Sequence, residues 1–173
     1  MIASRMGVPG PQRAVYRLFL AVAVLYATWM RMMAVHELGH MLNAWMSGGR
    51  VIQVQMPLFG FSQTIVHPNP RERFVVWGGP IWGVLIPLLA CGVFRLARGA
   101  APDLVRFFAG FCLIANGAYI GLGWTKRAGD AADLRRLGVS PALMIVFGLV
   151  CMTSGFFLWH LTSWLTTRKE TAK

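Results

Sequence analysis

Acid is scarce in this chain: its 173 residues hold 6 Asp and Glu against 17 Lys and Arg, a formal net charge of +11. So few carboxylates argue against a transporter, which strings several acidic and histidine residues along a path through the membrane. The basic residues form no stripe; they stand at the ends of apolar runs, which suits lipid headgroups, and no nucleic-acid partner is expected. Cysteine is limited to Cys91, Cys112 and Cys151, each inside an apolar run and none in CxxC spacing. That excludes a disulfide framework and a thiolate metal site, and predicts small buried hydrophobes instead. No internal repeat, low-complexity tract or added soluble domain is visible, so residues 1–173 read as one membrane-embedded domain.

What is abundant is apolar surface. Hydrophobic residues make up 56% of the chain and the mean hydropathy is +0.55, beyond what a soluble fold of this size carries. Several runs can cross the roughly 30 Å hydrocarbon core of a bilayer. The predicted fold class is a polytopic α-helical membrane protein with four transmembrane helices, over 14–46, 74–94, 104–124 and 141–165, and a small β-hairpin over 50–66. Gly48-Gly49 ends the first helix, and Val51 to Met56 then alternates apolar with polar before Pro57. A second extended segment is predicted over Phe61 to Val66. His67-Pro68-Asn69-Pro70-Arg71 reads as a loop, and Gly78-Gly79-Pro80 and Pro87 are expected to break the second span. The chain is expected to be multi-pass in the cell membrane, with the lipid bilayer as a partner. Nothing in it sets an oligomeric state.

Residues 36–40 read His-Glu-Leu-Gly-His inside the first span. On a helix His36 and His40 project from one face, so two neutral imidazoles can bind one metal. Glu37 lies about 100° round the axis, within reach of a water activated by that metal. An ionised side chain at the centre of a membrane helix costs roughly 2.5–3.5 kcal/mol, so a carboxylate here needs a compensating partner, and zinc would be one. The spacing is that of a zinc hydrolase. The elongated HExxHxxGxxH pattern is absent, since Asn43 and Met46 stand where it needs Gly and His.

A catalytic zinc takes three protein ligands and keeps a fourth position open. With four spans, the loops after the first and third lie on one side of the membrane, so the 125–140 loop faces the end of the HELGH helix. That loop holds Asp130 and Asp133. Asp130 follows Gly129, whose freedom in φ lets the chain turn back toward the bundle, whereas Asp133 is placed to meet Arg135 or Arg136. Glu72, His67 and Asn116 are the remaining candidates.

The order of motifs carries a resemblance. His36-Glu37-Leu38-Gly39-His40, then Gly48-Gly49-Arg50-Val51, then Gly79-Pro80 in the next helix, then Asn116 and a later aspartate resemble the site-2 protease family of intramembrane zinc metallopeptidases, over roughly residues 30 to 137. The resemblance implies zinc ligands His36, His40 and Asp130, one Zn2+ per chain, and Glu37 as the base. It implies an intramembrane endopeptidase acting on transmembrane protein substrates. The family's Asn-x-x-Pro-x-x-x-Leu-Asp-Gly segment is represented here only by Asn116-Gly117-Ala118-Tyr119, without the proline. Substrate contacts are expected at Val54, on a hairpin edge that an extended segment can extend, and at Asn116, Gly79 and Pro80. The alternative is a catalytically silent membrane-embedded binding or scaffold relative that keeps a structural zinc.

Overall fold

A computed structural model describes residues 11–99, 102–123, 125 and 129–171. In chain order the elements are α1 (Pro11–Met46), β1 (Val51–Gln55), β2 (Gln63–Val66), α2 (Glu72–Arg98), α3 (Asp103–Gly123), α4 (Asp130–Arg136) and α5 (Pro141–Thr171). Among the described residues α1, α2, α3 and α5 are long and apolar enough to cross a membrane. The chain is a helical membrane protein with a two-stranded antiparallel sheet between its first two spans. Trp124, the predicted end of the third span, and residues 126–128 of the predicted loop lie outside the described residues.

Local chemistry explains most boundaries. α1 stops where Gly48 takes φ 77 and the Gly49 N–H reaches back to the Ala44 carbonyl at 2.8 Å, a left-handed glycine cap. β1 and β2 pair with Val54 opposite Thr64 and an irregularity between Val51 and Gln53. The second strand begins at Gln63, later than the predicted Phe61, because the ladder with β1 ends where Gln55 meets Gln63; the Phe61 ring beyond it lies against Trp29 and Tyr119. The predicted break in the second span does not occur: α2 runs unbroken through Pro80 and Pro87. Both proline side chains are fully buried, and packed neighbours let a membrane helix tolerate the lost N–H. Cys112 and Cys151 are buried as predicted, while Cys91 is half-buried.

Glycines set the helix spacing. α1 and α2 cross backbone on backbone at Gly39 and Gly78, where a methyl on either would run into the other's carbonyl oxygen. α3 and α5 form the largest helix contact, closing at Gly117, Gly121 and Gly148. α4 buries Ala131 and Leu134 in a cluster with Val76, Ile120 and Met144, which seats it over α2 and α3. Its Arg136 pairs with Glu72 at the start of α2 and with Asp133 at 3.3 Å.

The hairpin folds back along α1. Its tip lies against Tyr26, whose hydroxyl donates to the Leu58 carbonyl at 2.9 Å and whose ring meets Phe59. Tyr26 is about 30 Å up the helix from Met46, at 1.5 Å per residue.

Candidate metal centre

His36, Glu37 and His40 are 7%, 2% and 6% exposed, all on the part of α1 that faces α2 and α3. They lie roughly 9–15 Å from the C-terminal end of the helix. One nitrogen from each histidine and one carboxylate oxygen of Glu37 fall within 4.8 Å of one another, so the group can hold a metal ion.

The imidazole tautomers follow from their partners. His40 Nδ1 is 2.9 Å from the Val75 carbonyl oxygen, which only accepts, and 3.3 Å from the Gly79 N–H, which only donates; the shorter contact places the proton on Nδ1 and the lone pair on Nε2. Asn116 Nδ2 donates to the Cys112 carbonyl at 2.9 Å, which turns Oδ1 toward His36 Nδ1 at 2.7 Å. His36 Nδ1 is therefore also the donor and its Nε2 is free to ligate. Hydrogen bonds of this kind orient histidine ligands and raise their basicity.

Both Nε2 atoms converge on α4. Asp130 Oδ2 lies 2.8 Å from His36 Nε2 and 3.2 Å from His40 Nε2, and the two nitrogens are 3.2 Å apart. Three donor atoms at roughly 2.0–2.1 Å from a tetrahedral ion stand about 3.3 Å from one another, so the triangle fits a tetrahedrally coordinated metal ion with one corner open. With both Nδ1 protons committed elsewhere, two lone pairs and a carboxylate face a common point and repel one another unless a proton or a cation lies between them. Burial alone would push the Asp130 carboxyl up, but where protons instead of a cation fill that point, hydrogen bonds from His36 and His40 outweigh burial and hold Asp130 well below the usual carboxylate range. It is an anion ready to ligate.

Two glycines deliver this geometry. A methyl at Gly79 would collide with Nε2 of both histidines. Gly129, at φ 76, turns the chain into α4, and a methyl there would strike the Tyr119 hydroxyl. That hydroxyl accepts the Asp130 N–H at 2.9 Å, and the Tyr119 ring stands edge-on to His36 at 5.9 Å. Gly79→Ala and Asn116→Ala are each expected to weaken metal affinity about 10–100-fold. Chelator-competition titration checks this, with helicity by circular dichroism as the folding control.

The structure brings His36, Glu37, His40, Asp130, Asn116 and Gly79 together. Pro80 adjoins the site but is fully buried, so like Gly79 it packs the helix. Asn116 is 1% exposed with both ends of its amide engaged, which makes it a holder of His36. Val54, 37% exposed, stands opposite Thr64 on one face of the hairpin. Asp133 turns to Arg136, Glu72 pairs with the same arginine, and His67 is exposed in its loop, so these three stay out of the cluster.

Three residues went unnoticed in the sequence. Thr64 Oγ1 donates to Glu37 Oε2 at 2.6 Å. No local signal identifies Thr64, because the contact needs the hairpin folded back on α1. Tyr119 had a signal, since it lies one helical turn after Asn116 on the same face. Val75 acts through its backbone carbonyl, which side-chain chemistry does not reveal.

No family model matches this chain, and neither a curated protein nor a solved structure is significantly similar to it.

Proposed function

We propose that this protein is a zinc-dependent intramembrane endopeptidase of the site-2 protease type, which hydrolyses peptide bonds in or near the transmembrane segments of membrane-protein substrates. The observation that carries the reading is the convergence of His36 Nε2, His40 Nε2 and Asp130 Oδ2 beside a buried glutamate, on a helix that spans the membrane. With Asp130 as the third ligand, Glu37 is left over beside the metal, where a purely structural site has no use for a further carboxylate.

Zinc bound there supplies Lewis-acid polarisation of a carbonyl and the acidification of water. The chain's own groups do the rest. Val75 and Asn116 keep both histidines in the ligating tautomer, and Asp130 supplies the compensating negative charge. Glu37 takes the proton from the attacking water and returns it to the departing amine nitrogen. A peptide bond within a helix is shielded by its own hydrogen bonds, so the substrate must be extended locally, and β1 and β2, which pair only with each other among the described residues, offer a strand to pair with. Val54 shares a hairpin face with Thr64 and so lies toward Glu37.

Metal removal tests the reading. Detergent-purified protein is expected to carry one zinc per chain, to lose cleavage of a transmembrane test substrate under a strong chelator, and to regain it on stoichiometric zinc. Cleavage that survives complete metal removal would refute it.

A further inference from the structure

The base of this site is held by a residue from outside the helix that carries it. Glu37 is 2% exposed, and the hydrogen bond to its carboxylate among the described residues comes from the Thr64 hydroxyl on β2. At 2.6 Å it has the length of a hydroxyl-to-carboxylate bond, the short and strong kind. A glutamate side chain has several rotamers, and only some point its second oxygen toward a water beside the histidines. Thr64 selects among them.

The hydroxyl is itself fixed, because the hairpin is fastened along its length. At the root the His67 N–H donates to the Arg50 carbonyl at 2.8 Å, and at the tip Tyr26 holds Leu58 and Phe59. Between them Phe61 stacks on Tyr119, whose hydroxyl accepts the Asp130 N–H. The hairpin thus touches the base through Thr64 of β2 and the third metal-facing group through Phe61, in the loop before β2, and Tyr119.

We infer that Thr64 is a positioning residue for Glu37 and that the hairpin, when seated on α1, is what makes the base competent. This rests on the proposed hydrolytic reading. It adds that a substrate strand pairing with the hairpin adjoins the element that orients the base, so docking and base alignment are coupled through one hydroxyl.

The test compares Thr64→Val, which keeps the shape and removes the donor, with Thr64→Ser, which restores the donor. In the full-length protein Thr64→Val is expected to lower kcat about 10–100-fold, the worth of one hydrogen bond to a charged group. KM and zinc stoichiometry should stay unchanged, and Thr64→Ser should recover most of the rate. In a Glu37→Gln background Thr64→Val should cost nothing further, because it acts through the carboxylate. Wild-type kcat in Thr64→Val, a serine variant as slow as the valine, or losses that add in the double variant would overturn the proposal.

A second readout does not depend on cleavage. With only three glutamates in the chain, 13C-glutamate labelling and subtraction of the Glu37→Gln spectrum isolate the Glu37 carboxylate stretch in the infrared. That band should shift in Thr64→Val and return in Thr64→Ser. If no substrate is cleaved but the band behaves this way, the hydrolytic reading fails and the positioning contact stands; an unmoved band overturns the contact itself.

Discussion

Glu37→Gln is expected to retain a full complement of zinc and to lose about 10²–10⁴-fold in kcat, the span that general acid–base catalysis contributes. The two halves of that result belong together. Glutamine fills the same space and can still accept the Thr64 hydrogen bond, so folding and metal loading are not at risk, but the amide cannot take a proton from water. Elemental analysis and single-turnover cleavage of one preparation provide the check. His36→Ala and His40→Ala should behave in the opposite way, losing the metal first and the activity as a consequence. A Glu37→Gln protein as active as wild type would remove Glu37 from the role of base, and a wild-type protein that loads zinc but cleaves nothing would leave only the silent, scaffold-like reading of the same fold.

The second large effect separates two aspartates three residues apart. Asp130→Ala should reduce zinc affinity by more than the roughly 10–100-fold that a partner behind a ligand is worth, and cleavage should fall with it. Asp133→Ala should bind zinc and cleave nearly as wild type, since Asp133 faces Arg136 at the surface and exposed ion pairs are worth about 0–1 kcal/mol. Zinc titration of both variants decides the matter. If Asp133→Ala were the metal-free variant, α4 would have to be shifted by nearly one helical turn, about 4.5 Å along its axis, from the position described above.

How much of this was open to reading from residues alone varied with the range of the interactions. The four spans follow from apolar length, which depends on neighbours in sequence and on the thickness of a bilayer. His36, Glu37 and His40 belong to one helix and share its periodicity, so their grouping is a local property. Asp130 needed one further step, the turn at Gly129, and the sequence offered both it and Asp133. Thr64 and the Val75 carbonyl lay beyond reach because each acts across a tertiary contact that no spacing encodes. The expected break at Gly78-Gly79-Pro80 failed for a related reason. Gly and Pro are breakers in water, but in a bundle the same residues permit close approach: Gly78 lies against Gly39 and Gly79 against the imidazoles.

The hairpin that lies along α1 has a bearing on how water arrives. A two-stranded sheet has two unpaired edges, and open edges facing lipid do not occur within hydrocarbon because each bare N–H and C=O costs several kcal/mol there. Where this sheet, its tip held at Tyr26 on a helix long enough to cross a membrane, lies within hydrocarbon, its edges call for water or a paired strand. The hydrolysis proposed above consumes water as its second reactant, and the buried Glu37 has to be supplied with it. On that reading, water held along the sheet's edges would also serve Glu37, which Thr64 ties to β2, and an incoming peptide that pairs with an edge would take the place of that water.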